Sequence, residues 1–483
     1  MTIDGIMLHA ITAQLQNYIG SKVDRIFQPE KDEIILALRQ KTQGNCRLLL
    51  SANASHCRVS LTTQAKPNPE HPPMFCMLLR KHLQGARIAQ ITQDGLERIL
   101  TLRLESRSDL GDVGSYYLIT ETMGRHSNII LLDSNMTIVD SIKRVGETVS
   151  SVRHILPGRP YTAPPAQNKQ NPLDMDSKAM QSVADAYPGN MLRTYVASKF
   201  QGVSPLAARE ISHRAFGSDD FAQTLDQSQK ETLGRTLSEF FGALQAKQFD
   251  PQHIYDPQGC IIGFTPFPYQ QYDPSLQKSA ASASAAVDRY YTYKEQGEKL
   301  RQKAQGLQKS VEARIEKLQK KLSINLDAIH QPEKAEELRL FGELLTAGLH
   351  GVSRSTTAKV LNYYSGETIE IPLDARLSPA ANAQRYYKLY NKAKVAQKLA
   401  KENIGALTAE LSYLEGQLYS ISACTTVSEL EEIRLELEEA GYLKKILTRK
   451  NKKIPPSSPL HYRSSDGLSI YVGKNNAQND TLT

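Results

Sequence analysis

The stretch LRQKAQGLQKSVEARIEKLQKKL, Leu300–Leu322, places Leu300, Ala304, Leu307, Val311, Ile315, Leu318 and Leu322 at spacings of three and four, with one stutter. The positions between them are mostly Lys, Gln, Glu and Arg, the pattern of a helix that buries one narrow apolar seam against a partner helix. A mirror seam follows about ninety residues later in Leu407, Leu411, Leu414, Leu418 and Ile421. Two such arms within one chain predict an antiparallel helical hairpin, each arm of some 50 residues reaching roughly 75 Å at 1.5 Å per residue. Pro332 is expected to interrupt the outgoing helix near its far end.

Between the arms, AKVLNYYSGETIEIPLD holds two alternating runs around Ser365-Gly366-Glu367, which predicts a small β-hairpin at the tip, within an insert of about 346–380. Ser378-Pro379 then opens the return helix as hydroxyl cap and first-turn proline. Tyr363, Tyr364, Tyr386, Tyr387 and Tyr390 make this tip either a docking surface or an internally packed one.

Charge is uneven along the arms. Residues 294–321 hold nine Lys or Arg against four Glu, and residues 385–401 hold six against none. Residues 429–439 reverse to six Glu against one Arg. Lys388, Lys392, Lys394, Lys398 and Lys401 of the acid-free run point to a phosphate backbone, with a solvated helix face as the plain alternative.

Upstream, residues 1 to about 165 mix short apolar runs (EIILAL, RLLLS, RILTLRL, YYLIT, NIILLD) with helical stretches such as MFCMLLRKHL, predicting an α+β domain rich in antiparallel strands. The proline-rich segment Pro157–Pro172 reads as a linker. Residues 173 to about 250 turn helical, and KFQGVSPLAAREI reads as a helix-hairpin-helix whose second helix could present free backbone N–H groups to a phosphate. A plain helical corner is the alternative. CIIGFTPFPY then reads as a strand, and KSAASASAAV, Lys278–Val287, as a flexible tether. After the basic run KKILTRKNKKIPPSSP, the last residues are too few to bury a core, so the chain is expected to stop inside a domain.

The whole chain has 483 residues and a formal charge of +8, enough for several cores and suited to a polyanionic partner. Five scattered cysteines without a CxxC pair predict neither a disulfide framework nor a zinc site, and no cofactor or metal is expected. With no leader pattern and no apolar span of membrane length, the expected location is cytoplasmic.

Four groups of motifs, read together, resemble the NFACT family. They are MTIDGIMLHAITAQL with PPMFCMLLRKHLQGARI, ETMGRHSNIILLD and IKRV–LPGRPY; the hairpin GVSPLAARE; the return helix NAQRYYKLYNKAK; and DGLSIYVGKNNAQNDTLT. The resemblance runs through the chain in order. It implies a multidomain α+β architecture: a glycosylase-like NFACT-N domain (1–170), a helix-hairpin-helix domain (173–270), a linker (271–288), a coiled-coil middle domain (289–445), and from 446 to 483 a basic linker with the start of an NFACT-R domain.

It also implies a ribosome quality control factor that binds the obstructed large ribosomal subunit with its peptidyl-tRNA. Such a factor recruits tRNA, alanyl-tRNA in bacteria, for template-free C-terminal tailing, with ribosomal proteins met by the coiled-coil tip. It would act as a monomer and would not itself be the catalyst. The tRNA-binding residues implied are Glu97 and Arg98 after the Gly95-Leu96 step, then Glu121, Thr122 and Met123; Arg125, His126 and Asn128 read equally as tRNA contacts or as satisfied polar groups supporting the domain. Position 97 usually carries Asp in the family, and position 122 an aliphatic residue, so Glu97 and Thr122 are departures. A carboxylate can accept from an exocyclic amine, an Arg can pair or stack on a splayed base, and Met123 can pack an unstacked one. The plain alternative for Glu97 and Arg98 is a surface ion pair.

Two other functional classes compete with this resemblance. The first two predicted domains also resemble formamidopyrimidine-type DNA glycosylases, but the N-terminal proline nucleophile of those enzymes is replaced by Met1-Thr2. Fibronectin-binding adhesion, a name carried by some family members, is disfavoured by the lack of a leader, a wall anchor and disulfides.

Overall fold

The computed structural model describes residues 2–40, 44–107, 113–148, 150–165, 167–330, 332–444 and 457–483. Residues 1–295 and 296–483 form two compact units.

The first unit opens with helix α1 (Gly5–Leu15), capped by the Asp4 carboxylate, which accepts from the Met7 amide at 2.8 Å. Strands β1 (Lys22–Phe27), β2 (Glu33–Gln40), β3 (Gly44–Ser51) and β4 (Arg58–Leu61) follow, then helix α2 (Met74–Leu83). Strands β5 (Arg87–Gln93), β6 (Ile99–Arg107), β7 (Val113–Glu121), β8 (Asn128–Leu132) and β9 (Ile138–Ser141) complete a nine-stranded antiparallel sheet ordered β4-β3-β2-β1-β5-β6-β7-β8-β9. The apolar runs of the sequence are its strands. Alternate residues such as Val23, Leu36, Leu50, Ile88 and Leu102 are fully withdrawn from water against Met7, Leu8 and Ile11 of α1 and Cys76, Leu79 and Leu83 of α2.

Helices α3 (Ser177–Asp185), α4 (Leu192–Lys199), α5 (Pro205–Phe216) and α6 (Gln227–Gln245) bury a second core around Phe200, Phe240 and Phe241, into which Ile6 and Leu96 also project. Ser204 caps α5 with Pro205 in its first turn, as the hairpin reading expected.

Two segments expected to be irregular are ordered in the fold. The Pro157–Pro172 segment is not simply a linker, because Ile138 N–H of β9 donates to the Arg159 carbonyl at 2.8 Å, Gly158 N–H donates to the Ile138 carbonyl at 2.8 Å, and Tyr161 N–H donates to the Met136 carbonyl at 2.9 Å. The expected linker 271–288, with the expected tether Lys278–Val287 inside it, is folded too. Strand β12 (Gln277–Ser279) joins β10 (Gln252–Tyr255) and β11 (Ile261–Thr265) in a three-stranded sheet, and helix α7 (Ala283–Ile329) begins inside the low-complexity run. Ala283, Ala286 and Val287 are buried, since small side chains let the helix sit close on the sheet core. Composition alone mistook a closely packed alanine face for a flexible one.

In the second unit, α7 continues to Ile329 and α8 (Pro332–Ala347) starts at the expected proline. Strands β13 (Thr357–Leu361) and β14 (Thr368–Pro372) form the hairpin, with Gly366 at φ +74°, and α9 (Pro379–Ala423) returns under the Ser378 cap. Leu307, Val311, Ile315 and Leu318 pack with Leu411, Leu414 and Ile421, joined by Leu430, Ile433 and Leu437 of α10 (Val427–Glu439). Arg314 meets Glu410 at 3.3 Å. Strands β15 (Leu460–Arg463) and β16 (Ser469–Val472) and helix α11 (Asn476–Leu482) close the chain; Lys474 ties this end to Glu429 at 2.7 Å.

Candidate nucleic-acid interface

Antiparallel pairing brings the two implied tRNA-binding segments to one edge of the large sheet. Ile99 opens β6 opposite Glu121, which closes β7, and Glu121 in turn pairs with Asn128 at the start of β8. The turn before β6 is stitched to the segment after β7 by Thr122, whose N–H (2.9 Å) and hydroxyl (3.1 Å) both donate to the Arg98 carbonyl.

Within that edge the residues divide sharply. Glu121 and Thr122 have no exposed surface and Asn128 has 1%. Glu121 accepts a two-pronged Arg153 at 2.9 and 2.5 Å and the Tyr161 hydroxyl at 2.9 Å, and burial together with Glu121 holds that phenol well above its ordinary range. Asn128 donates to the Lys143 carbonyl at 2.8 Å and accepts from the Ile129 and Lys143 amides. These three side chains spend their polar groups internally. Glu97, Arg98 and Met123 are half-buried and Arg125 and His126 exposed, the last two linked at 3.0 Å in a short turn with Gly124 at φ +60°.

The 94–98 turn is itself locked by distant parts of the chain. Gln201 of the hairpin accepts from the Leu96 amide at 3.2 Å and donates to the Glu97 carboxylate at 2.8 Å. Gly5 and Gly202 both abut the Leu96 carbonyl, and Gly5 N–H donates to the Gly202 carbonyl at 3.0 Å. Asp4 accepts from the Ser204 hydroxyl at 2.6 Å; burial raises its carboxyl pKa, opposed by that hydroxyl, the Met7 amide and the Arg98 charge. The start of α5 is therefore already faced by a carboxylate, which argues against a phosphate there. Gln201, Arg153 and Tyr161 were not singled out from sequence, although Tyr161 lies in the quoted LPGRPY and Gln201 directly precedes GVSPLAARE.

In the second unit, Lys388, Lys392, Lys394, Lys398 and Lys401 are all exposed on α9. At about 100° per residue they form two stripes, Lys388 with Lys392 and Lys394 with Lys398 and Lys401, on different sides of the helix. Tyr363 and Tyr364 are 54% and 67% exposed, whereas Tyr386 is buried with its hydroxyl on the Pro372 carbonyl at 2.5 Å.

Residues 4–455 match the family model described as NFACT N-terminal and middle domains. The chain belongs to the NFACT family. This NFACT chain is 36% identical to the Rqc2 homolog RqcH of Bacillus subtilis (strain 168) over its full length and 83% of that protein. It is 25% identical, over 80% of itself and 37% of the relative, to the human ribosome quality control complex subunit NEMF. The N-terminal structure of the fibronectin/fibrinogen-binding protein from Streptococcus suis superposes with a TM-score of 0.52 at 30% identity, covering 60% of this chain and 99% of that one. Among the described residues no helix is long and apolar enough to cross a membrane, and no cluster of His, Cys, Asp or Glu could hold a metal.

Proposed function

We propose that this NFACT chain is a ribosome quality control factor that binds the obstructed large ribosomal subunit carrying peptidyl-tRNA and recruits tRNA, alanyl-tRNA by family resemblance, for template-free C-terminal tailing. The observation that carries this reading is similarity to RqcH proteins along the whole of this chain and 83% of each relative, joined to the gathering of residues 97–98 and 121–128 at one sheet edge. Peptide-bond formation stays with the ribosome, and the chain positions its substrates.

In this reading Glu97, Arg98, Met123, Arg125 and His126 touch an unstacked loop, while Glu121, Thr122 and Asn128 hold them in place. The lysine stripes of α9 meet rRNA, and the exposed tip tyrosines meet ribosomal protein. The five-part domain organisation set out from the sequence, including a glycosylase-like first domain and an NFACT-R start, is part of the proposal, with residues 271–288 reassigned from linker to folded base. The name of the Streptococcus suis neighbour keeps fibronectin binding as a second reading, and a +8 chain would show it as salt-sensitive adhesion.

The test is to recover the protein from lysate at moderate salt and sequence the bound RNA, comparing wild type with Glu97→Ala/Arg98→Ala. Large-subunit rRNA with one enriched tRNA, and loss of that tRNA alone in the variant, supports both function and site. Recovery of neither RNA above background would sink the reading.

A further inference from the structure

The large sheet carries a second charged feature, away from the 97–128 edge. In the strand register Lys22 of β1 lies directly opposite Arg39 of β2 on one side and Arg87 of β5 on the other. Residues directly opposite share a face, so three cations stand in a row across three strands, spanning about 10 Å at the usual strand spacing. Two positions along, Arg47 of β3 and Arg25 of β1 flank Ala37 of β2 on the same face. Arg25, Arg39, Arg47 and Arg87 are exposed and Lys22 half-exposed.

Little within the fold explains this row. Like charges directly opposite one another in a sheet oppose its formation. The nearest acids by register are Asp24, in the bulge of β1, and Glu105, opposite Arg87, which is tied to Arg103 at 3.0 Å. Arg47 and Arg87 donate to the backbone carbonyls of Gln64 (3.4 Å) and Gly20 (3.0 Å), whereas Lys22, Arg25 and Arg39 have no ion-pair or side-chain hydrogen-bond partner among the described residues. Four of the five cations are arginines, whose planar fork fits a phosphate with two parallel hydrogen bonds.

We infer that this face is a sequence-independent binding surface for the phosphodiester backbone of RNA. Arg87 and the reading edge lie at opposite ends of β5, about 20 Å apart along the strand, so a structured RNA gripped by its backbone here can extend to the residues that read it. The inference rests on the proposed function only for which RNA is held.

The test is binding of the full chain to a short RNA duplex of arbitrary sequence and, separately, to unfractionated bacterial tRNA, from about 50 to about 200 mM salt. The variant is Lys22→Gln/Arg25→Gln/Arg39→Gln, with Glu97→Ala/Arg98→Ala in parallel. Removing three phosphate contacts should make the slope of log K against log salt shallower by about two to three, for both RNAs. The triple variant should melt no lower than wild type, because it relieves repulsion; a clear fall in melting temperature would assign these side chains to the fold and overturn the inference. An unchanged slope would overturn it as well, as would loss of binding to phosphatidylserine vesicles with RNA binding intact, which would make the face a lipid surface. If wild type binds duplex and tRNA alike and the slope still falls, the surface stands and the tRNA-recruiting function fails.

Discussion

Arg153 grips Glu121 with both arms of its guanidinium, Nη1 on Oε2 at 2.9 Å and Nη2 on Oε1 at 2.5 Å, while its own ring-side contact is the face of Tyr161 at 5.2 Å. Glu121 is wholly buried and Arg153 nearly so, with side-chain exposures of 0% and 13%. Breaking such a pair from one side leaves an uncompensated buried charge, so Arg153→Met should destabilise the first unit by about 3–5 kcal/mol. Removing both charges in Glu121→Leu/Arg153→Met should recover most of that loss. Urea unfolding of the two variants checks it; equal losses would show that the charge pairing is not what matters.

Gly5 and Gly202 crowd one carbonyl. A Cβ at either would stand 1.8 or 2.0 Å from the Leu96 oxygen, and Gly202 also has φ +70°. Gly202→Ala should cost at least about 3 kcal/mol, since backbone on both sides must move. Gly259→Ala, with similar φ (+81°) but open space, should cost about 1 kcal/mol. Similar melting temperatures for the two would contradict the close approach.

Asp4 has a raised pKa because burial outweighs its hydrogen bonds. A carboxyl whose folded pKa exceeds its unfolded value binds more protons when folded, so its contribution to stability falls as pH rises through that interval. Asp4→Asn keeps a capping oxygen and removes the titration. The variant should therefore gain on wild type as pH rises above the ordinary carboxylate range of about 4, read from paired unfolding midpoints. A gain that grows on acidification would reverse the assignment.

Cys46 is half-buried on β3, and burial pushes its thiol up to about 11. Two units less acidic than a free thiol means roughly a hundredfold less thiolate near pH 8. Iodoacetamide should modify Cys46 slowly in the native protein and rapidly in urea, followed by peptide mass mapping. Comparable rates would refute the buried-thiol account.

Local pattern carried much of the architecture. The leucine spacing of 300–322 and 407–421 specified helices with one apolar stripe, Ser204-Pro205 and Ser378-Pro379 marked helix starts, and the Ser365-Gly366-Glu367 turn marked a hairpin, because each depends on neighbours within one or two turns. The reading failed at Lys278–Val287, where alanine-rich composition is equally compatible with a solvated tether and with a helix pressed close to a sheet.

The sequence by itself determined the helical arms, the strand-rich first region and the family to which the chain belongs, since periodicity and motif order are written locally. Only tertiary structure decided which implied site residues face outward. Glu121, Thr122 and Asn128 are turned inward because their partners, Arg153 with Tyr161, Arg98 and Lys143, arrive from other segments; Gln201 reaches Glu97 from 104 residues away. The cation row on β1, β2 and β5 was hidden for the same reason: strand register, a property of the folded sheet, sets Lys22 between Arg39 and Arg87.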